Sequence, residues 1–337
     1  MSGFALTLLK WFRENGRDLP WRQTRDPYAI WLSEIILQQT QVKQGWDYWL
    51  RFMHRWPTVA DLAAATEDEV LREWQGLGYY SRARNLHAAA KQVVAAGGFP
   101  TTLEGLRALK GVGDYTAAAI GSFAFGLPAA VVDGNVYRVL SRYYGIATPI
   151  NTTEGKHEFA ALAQSLLPTS ENAEYNQAIM DFGATQCTPA SPRCHQCPLA
   201  ETCVALREDR IGELPVKLRT LKVKERRLTY IYIRCQGMTA IHRREAGDIW
   251  QGLYEPYVLE ERGERREESE LYGAILLRRN VKHILTHRVI YADFYLLETD
   301  ERPALPDGYL WVREEDVADY GVPRLVEKLL EEIHKRK

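Results

Sequence analysis

The residue with the clearest chemical potential is a glutamate inside a strongly apolar segment. Glu34 lies in "DPYAIWLSEIILQQTQV", between Trp31 and Ile35. A carboxyl group in such surroundings is expected to have a raised pKa, so that it holds a proton near neutral pH and can act as a general acid. The simpler alternative is an outward-facing position on an amphipathic helix, and the polar run "QQTQ" that follows argues against it.

A second carboxylate occurs in "VVDGNVYRVLSRYYG", where Asp133 follows an apolar segment and precedes a helical pattern. From its position alone it is an N-cap residue, whose side chain bonds the first free N–H groups of the helix. An N-cap can also carry chemistry, because the two roles do not exclude each other.

Two glycines one residue apart occur in "LKGVGDYTAAAI", at Gly111 and Gly113. Such a turn exposes backbone N–H groups at a helix N-terminus, where an anion is favoured. With helices on both sides, the pattern predicts a helix–hairpin–helix that holds a DNA phosphate without reading bases. A tight interhelix turn with no ligand is the alternative.

Four of the five cysteines lie within "CTPASPRCHQCPLAETC", with gaps of six, two and five residues between them: Cys187, Cys194, Cys197 and Cys203. Because a cytosolic chain keeps its thiols reduced, a metal site is favoured over disulfides. Zinc and a [4Fe–4S] cluster both accept four thiolates. Four-cysteine zinc sites usually contain two Cys-x2-Cys motifs, however, and this loop contains only one, at Cys194 and Cys197. The fifth cysteine, Cys235, lies in a strand-like stretch and is predicted to be a packed thiol.

The surrounding pattern predicts two kinds of module. Apolar residues recur at helical spacing from Phe4 to about Leu206, and Thr66 with Glu69 predicts a capping box. Residues 207–227 are charged and aperiodic, as in a linker. Strand-like segments follow, with a charged solvated loop "EERGERREESE", and "RLVEKLLEEIHKRK" closes the chain as a helix.

The length of 337 residues accommodates two domains, and the net charge of −1 excludes no class of partner. No apolar run approaches the ~18 residues of a membrane span, and the N-terminus lacks the features of a signal peptide. We therefore expect a cytoplasmic protein that is not bound to a membrane, associated with the nucleoid if the source is bacterial.

A chain of motifs resembles the MutY-type adenine DNA glycosylase family of the endonuclease III superfamily. The matching motifs, in order, are "PWR", "DPYxIWLSEIxLQQTQV", "GLGYYSRARNLH", "GVGDYTAAAI", "DGNVYRVLSR", "NQAIMDFGATQC" and the cysteine loop. The match is dense over about residues 10–205 and loose afterwards. The cysteine spacing is similar to the iron–sulfur loop of that superfamily.

The resemblance implies a two-domain fold. Residues 1–206 would form an all-α helix–hairpin–helix glycosylase domain, with one [4Fe–4S] cluster held by the loop 187–203. Residues 207–227 would be the linker. Residues 228–337 would form an α+β Nudix-like domain that recognises 8-oxoguanine.

It also implies a reaction, in which an adenine opposite 8-oxoguanine or guanine is flipped out and its N-glycosidic bond is hydrolysed. Glu34 would protonate adenine N7, and Asp133 would stabilise the oxocarbenium-like sugar or form a covalent intermediate with it. Tyr115 and Asn135 would position Asp133. Endonuclease III has a lysine where Tyr115 lies and forms a Schiff base through it. A phenol cannot, so the resemblance implies a monofunctional glycosylase without strand cleavage.

Further residues receive binding roles from the same resemblance. Those expected in the adenine pocket are Arg17, Arg22 and Gln177. Those expected to enter the base stack are Gln39 and Tyr80, while Gly111, Gly113 and Arg193 would meet phosphates. The family's Phe-Ser-His loop corresponds here to Leu285, Thr286 and His287, so the aromatic residue is replaced while the hydroxyl group and the histidine remain.

The expected partner is double-stranded DNA containing A·8-oxoG or A·G, bound by a monomer. Two alternatives stay open at this point. One is a related iron–sulfur glycosylase for another base, such as thymine in T·G mismatches or an oxidised pyrimidine. The other is an iron–sulfur DNA-binding protein without catalytic activity, for which Glu34 and Asp133 would be incidental.

Overall fold

The computed structural model describes residues 2–218, 223–260 and 273–336, and the chain forms two compact units. The first comprises Met1–Ala63 with Ala88–Arg219, and the second comprises Ala64–His87 with Thr220–Lys337. Residues 64–87 thus belong with the C-terminal module, although the sequence pattern groups them with the helical domain. Of the expected linker and charged loop, residues 219–222 and 261–270 lie outside the described residues.

Helices occupy the N-terminal part of the chain, as the apolar spacing predicts. In chain order they are α1 (Gly3–Asn15), α2 (Pro27–Ile36), α3 (Val42–Arg55), α4 (Val59–Ala64), α5 (Glu67–Glu73), α6 (Ser81–Ala95), α7 (Leu103–Ala108), α8 (Asp114–Phe125), α9 (Gly134–Tyr144), α10 (Thr153–Leu166), α11 (Asn172–Asp181) and α12 (Val204–Arg207). The predicted capping box on α5 is formed by Thr66 and Glu69. Within the described ranges, no helix is long and apolar enough to cross a membrane.

One apolar core of the first unit holds α9, the helix that begins beside Asp133. Leu8 from α1, Leu140 from α9, Phe159 from α10 and Ile179 from α11 are all buried in it. Helix α2 packs separately against α8. Because packing against this core fixes the direction of α9, it also fixes the N-terminus of that helix, where Asp133 lies.

The second unit contains a mixed sheet. Its strands are β1 (Lys224–Cys235), β2 (Met238–Arg243), β3 (Tyr254–Glu260), β4 (Ile275–Ile284), β5 (Arg288–Glu298) and β6 (Tyr309–Arg313), in the order β4-β5-β1-β3-β2-β6. Strands β1 and β5 are parallel, and the other described pairs are antiparallel. Helix α13 (Arg324–His334) contributes Leu325 and Leu329 to the core around Tyr230 and Phe294. The α+β expectation is confirmed, and Cys235 is buried as predicted.

Residues 64–87 join this unit through specific polar contacts. Asp68 accepts a hydrogen bond from the Tyr254 hydroxyl at 3.0 Å, and Gln75 donates to Glu327 of α13 at 2.6 Å. Apolar contact accompanies them, because a Cβ atom at Gly252 would lie 2.9 Å from the Leu71 side chain. Gly252 has a φ of +83°, so other residues would be strained there as well as crowded.

The division into units predicts which segments unfold together. Leu329→Ala, a cavity in the core of the second unit, should cost about 2–5 kcal/mol and accelerate amide hydrogen exchange in α5 as well as in the sheet. Leu140→Ala in the first-unit core is the matched control and should accelerate exchange in α9 but not in α5. Mass-spectrometric exchange on the intact protein measures both. Accelerated amide exchange in α5 of the Leu140→Ala variant would contradict the assignment of residues 64–87 to the second unit.

Candidate active site

Glu34 lies near the end of α2, a helix whose residues from Tyr28 to Ile36 are all buried. The helix therefore has no solvent face at Glu34, which is 7% exposed, and the outward-facing alternative is wrong. Burial raises the pKa of Glu34 to about 7, with a contribution from Asp133 in the same direction, while Tyr115 and Arg22 oppose the shift. The raised pKa predicted from the apolar flanks is thus confirmed.

Tyr115 is hydrogen-bonded to Glu34. It lies in the first turn of α8, immediately after the glycine turn, and its hydroxyl donates to Glu34 Oε2 at 2.6 Å. Burial, the nearby Glu34 and Asp133 carboxylates and this bond together raise the pKa of the phenol, which keeps it protonated as a donor. The sequence-based role for Tyr115 was to position Asp133, whereas its direct partner is Glu34.

Asp133 is the N-cap of α9, so the simpler reading of this residue is confirmed geometrically. Its Oδ1 accepts from the N–H groups of Asn135 and Val136, each at 2.8 Å, and its Oδ2 accepts from Asn135 Nδ2 at 2.6 Å. Burial raises the pKa of Asp133, while these three N–H donors favour the ionised form. The expected contact between Asn135 and Asp133 is present.

A chain of hydrogen bonds runs from Asp133 to the first cysteine. The Arg138 guanidinium donates to Asn135 Oδ1 at 2.8 Å, to the Gly183 carbonyl at 2.6 Å and to the Cys187 carbonyl at 2.7 Å. A Cβ atom at Gly183 would lie 2.6 Å from Asn135 Cβ, so only glycine permits this approach. Sequence analysis missed Arg138, although its place one turn into α9 was an available signal.

Arg17 and Arg22 converge on Asp181, the last residue of α11, which is fully buried. Arg22 donates to both Asp181 oxygens at 2.8 and 2.7 Å, and Arg17 donates through its backbone N–H at 2.9 Å and its Nε at 3.0 Å. Burial alone would raise the pKa of Asp181, but these bonds outweigh it and lower the pKa to about 2. The sequence patterns do not single out Asp181 as a site residue. Gln177, which is expected in the adenine pocket, lies half-buried one turn earlier on the same helix.

The glycine turn between α7 and α8 has the geometry of a helix–hairpin–helix. Gly111 adopts a φ of +77°, and Gly113 is the N-cap of α8 without a side-chain cap. Both glycines are exposed, and a Cβ atom at Gly113 would meet no atom within 4 Å.

The two adjacent tyrosines of the "GLGYY" turn face opposite environments within the second unit. Tyr80, which the resemblance assigned to the base stack, is 7% exposed, whereas Tyr79 is 46% exposed. Tyr79 has a φ of +47° and shares a hydrogen bond of 2.5 Å with the Thr286 hydroxyl. The Arg82 guanidinium lies 5.6 Å from the centre of its ring. The exposed tyrosine is therefore Tyr79 and not Tyr80.

Thr286 and His287 are exposed at the connection between β4 and β5. Leu285 is different, because it packs against the core of the sheet and closes the turn with an N–H bond of 2.8 Å to the Arg288 carbonyl. In the first unit, Gln39 is exposed in the turn after α2 with a φ of +57°.

The four clustered cysteines follow a π-helical turn, Phe182–Gln186, and Cys187 comes directly after it. Among the residues with described positions, no three His, Cys, Asp or Glu side chains are arranged to hold a metal ion. The thiols are nevertheless close enough to interact: burial raises the pKa of Cys197 to about 11, and Cys187, Cys203 and Cys194 add to the shift.

Buried Arg142 of α9 holds this loop. It donates to the Thr188 and Pro189 carbonyls at 2.8 and 2.9 Å, and one of its nitrogens lies 3.5 Å from Cys187 Sγ. Arg193, at the far end of the loop, is exposed, and its backbone is tied to Gln186 by two hydrogen bonds.

Both parts of the chain match described families. Residues 32–167 match the HhH-GPD superfamily base excision DNA repair protein, and residues 229–332 match the NUDIX domain. A solved thermostable thymine-DNA glycosylase is 32% identical with a TM-score of 0.57, over 61% of this chain and 95% of that one. Fold and site thus define a helix–hairpin–helix protein of the base excision repair superfamily that carries a Nudix-type domain.

Among the relatives, the adenine DNA glycosylase of Buchnera aphidicola subsp. Schizaphis graminum (strain Sg) is 35% identical over 74% of this chain and 73% of its own length. The adenine DNA glycosylase of Rattus norvegicus is 44% identical over 63% of this chain and 43% of its own length. The chain belongs to the adenine DNA glycosylase family. It spans less than half the length of the mammalian relatives that it matches.

The raised pKa of Glu34 has a consequence for stability. Between the unfolded pKa near 4.5 and the folded pKa near 7, the native state binds more protons than the unfolded state, so stability falls as the pH rises through this window. Glu34→Gln should therefore stabilise the protein at pH 8 by about 3 kcal/mol and have little effect at pH 4.5. Urea unfolding at both pH values measures this. Glu14→Gln, at an exposed position, is the control, and equal effects of the two variants at pH 8 would contradict the prediction.

Proposed function

We propose that the chain is a monofunctional adenine DNA glycosylase, which removes adenine paired with 8-oxoguanine or guanine from double-stranded DNA. The observation that carries the proposal is the buried Glu34 carboxyl, with a pKa of about 7, bonded to Tyr115 and electrostatically coupled to Asp133. Adenine is a poor leaving group from its sugar unless a ring nitrogen is protonated. An acid that still holds its proton at neutral pH meets this need.

In the proposed reaction, Glu34 donates its proton to N7 of a flipped adenine as the bond between C1′ and N9 breaks. Tyr115 occupies Oε2, which leaves Oε1 to carry the proton. The sugar develops positive charge, and the Asp133 carboxylate stabilises it or bonds to it until water adds. The three N–H groups on Asp133 keep its oxygens fixed, so little reorganisation is needed as that charge appears.

Arg17 and Arg22 keep the proposed place beside the adenine, and their contacts with Asp181 define how they would line the pocket. With their guanidiniums bonded to Asp181, Arg17 and Arg22 form the wall of the adenine pocket rather than freely moving ligands. Arg22 also lowers the pKa of Glu34, against the effect of burial. We propose that Asp181 limits this effect by neutralising part of the positive charge near the acid.

Strand cleavage is not expected, because the position that would supply an amine holds Tyr115. A phenol in hydrogen-bond contact with a carboxyl cannot form an imine with the sugar. The product is therefore an abasic strand that breaks only after heating with alkali.

One assay tests the reaction and its acid. Duplexes with A·8-oxoG, A·G, T·G or thymine glycol are incubated with protein and then treated with alkali. We expect cleavage only at A·8-oxoG and A·G, and a fall of about 10²–10⁴-fold in rate for Glu34→Gln with Glu14→Gln as control. Removal of thymine from T·G would favour the activity named for the similar solved glycosylase. Normal rates for Glu34→Gln would remove Glu34 as the acid.

We propose further that Cys187, Cys194, Cys197 and Cys203 hold one [4Fe–4S] cluster. In such a cluster each thiolate binds a different iron. Support comes from the shared contact of two of the cysteines with Arg142, which lies 3.5 Å from Cys187 Sγ through a guanidinium nitrogen and 3.5 Å from Cys203 Sγ through its carbonyl. The cluster would supply structural rigidity. The residues around it would then hold exposed Arg193 ready for a DNA phosphate, as the turn at Gly111 and Gly113 does.

The metal assignment predicts a visible property of the purified protein. It should be yellow-brown and contain about four irons per chain. Cys197→Ser should lose the colour, whereas Cys235→Ser, at the buried cysteine of β1, should keep it. One equivalent of zinc without visible absorption would reject the cluster.

The second unit would recognise the base opposite adenine. Support comes from Tyr79, whose exposed ring is tied to Thr286 beside His287. Both recognition residues and the tyrosine lie in one unit, so the lesion contacts move together. We propose that the protein acts as a monomer on its duplex.

A further inference from the structure

The connection between β4 and β5 exposes an isoleucine that the proposed reaction has not used. Ile284 is 69% exposed, more than any other large hydrophobic side chain among those described. It lies two residues before Thr286. A single exposed isoleucine is common on protein surfaces, so the groups around Ile284 decide what it contacts.

Strand alternation explains why this residue faces outward. Val281 is buried in the core of the sheet, so every second residue points the same way, and Lys282 and Ile284 point to the opposite face. Leu285 continues the inward series and packs against the core. The residue that corresponds to the family's aromatic position is therefore turned inward, and its neighbour Ile284 supplies the exposed apolar group.

The surroundings of Ile284 fit DNA better than a protein partner. Thr286, two residues after Ile284, shares a hydrogen bond with Tyr79, so an exposed aromatic ring is tied to the same β4–β5 connection that exposes Ile284. Lys282 lies on the same face as Ile284, with its ammonium 5.9 Å from the centre of the Tyr291 ring. Apolar side chains next to cationic ones are typical of proteins that wedge between base steps and hold the flanking phosphates.

We propose that Ile284 inserts into the base stack beside the mispair, as a second wedge next to Tyr79. This rests on the proposed function, because it takes the mismatched duplex as the ligand. Tyr79 presents a flat face on which a base stacks, and Ile284 fills the gap that opens at the neighbouring step. The hydroxyl groups of Tyr79 and Thr286 are left to meet the polar edge of the base opposite adenine.

The test measures binding to a duplex with 8-oxoguanine opposite 2′-fluoro-2′-deoxyadenosine, which resists hydrolysis. Ile284→Ser should weaken binding roughly tenfold or more, the equivalent of exposing one isoleucine side chain. Ile284→Leu should restore most of the affinity. Ile275→Ser, at the other end of β4 and 47% exposed, is the matched control and should bind as the native protein does.

A spectroscopic arm separates insertion from surface contact. With 2-aminopurine next to 8-oxoguanine, the native protein should raise the fluorescence by unstacking that base, and Ile284→Ser should raise it less. Unchanged affinity and fluorescence for Ile284→Ser would overturn the inference, and so would equal losses for Ile284→Ser and Ile275→Ser. Dimerisation abolished by Ile284→Ser would instead assign the residue to a second copy of the chain.

The outcome is separable from that of the proposed function. If the native protein excises adenine but Ile284→Ser binds the duplex normally, the role of Ile284 is rejected and the proposed function stands. If the native protein neither binds nor cleaves the A·8-oxoG duplex, both the proposed function and the role of Ile284 are rejected.

Discussion

The hydrogen bond from Tyr115 to Glu34 is the contact on which the candidate site depends. It joins α2 to the first turn of α8, so the helix that buries the acid and the helix that begins at the glycine turn are held together at the reacting group. Burial in α2 raises the pKa of Glu34, and the phenol limits the shift. An acid that remained fully ionised would be useless for protonating a base, and one with a much higher pKa would not release its proton. Burial and the Tyr115 hydrogen bond together place the pKa of Glu34 near 7.

The Asp133 carboxylate is held by a longer chain of hydrogen bonds than Glu34 is. Asp133 is fixed by Asn135, Asn135 by Arg138, and Arg138 by the carbonyl of Cys187. The position of the Asp133 carboxylate thus depends on the backbone of the cysteine loop through two intervening side chains. Disturbance of the loop should reach Asp133 through the Arg138 guanidinium, whose burial lowers its pKa and which is oriented by three acceptors.

Much of this architecture was predictable from the sequence, and the exceptions have a common cause. Periodicity and composition gave the helical part, the sheet and its closing helix, and the apolar flanks gave the raised pKa of Glu34. The sequence does not show which of Tyr79 and Tyr80 is exposed, because adjacent residues in a turn point in opposite directions and the backbone angle that decides between them is a tertiary property. The inward turn of Leu285 follows from the register that Val281 sets. Asp181 was missed because its significance arises only from two arginines about 160 positions away in sequence.

Residues 64–87 have a consequence for how this chain can be recombined. The polypeptide passes from one compact unit to the other at three points, after residues 63, 87 and 219. A single cut between the two family-defined parts therefore separates residues 64–87 from the rest of their unit. A Nudix-type domain taken from a relative would then have to pack against an α5 from a different protein. Successful chimeras should exchange the two segments as a pair. The same linkage would make substitutions in α5 and in α13 covary across lineages, since Gln75 and Glu327 must match each other.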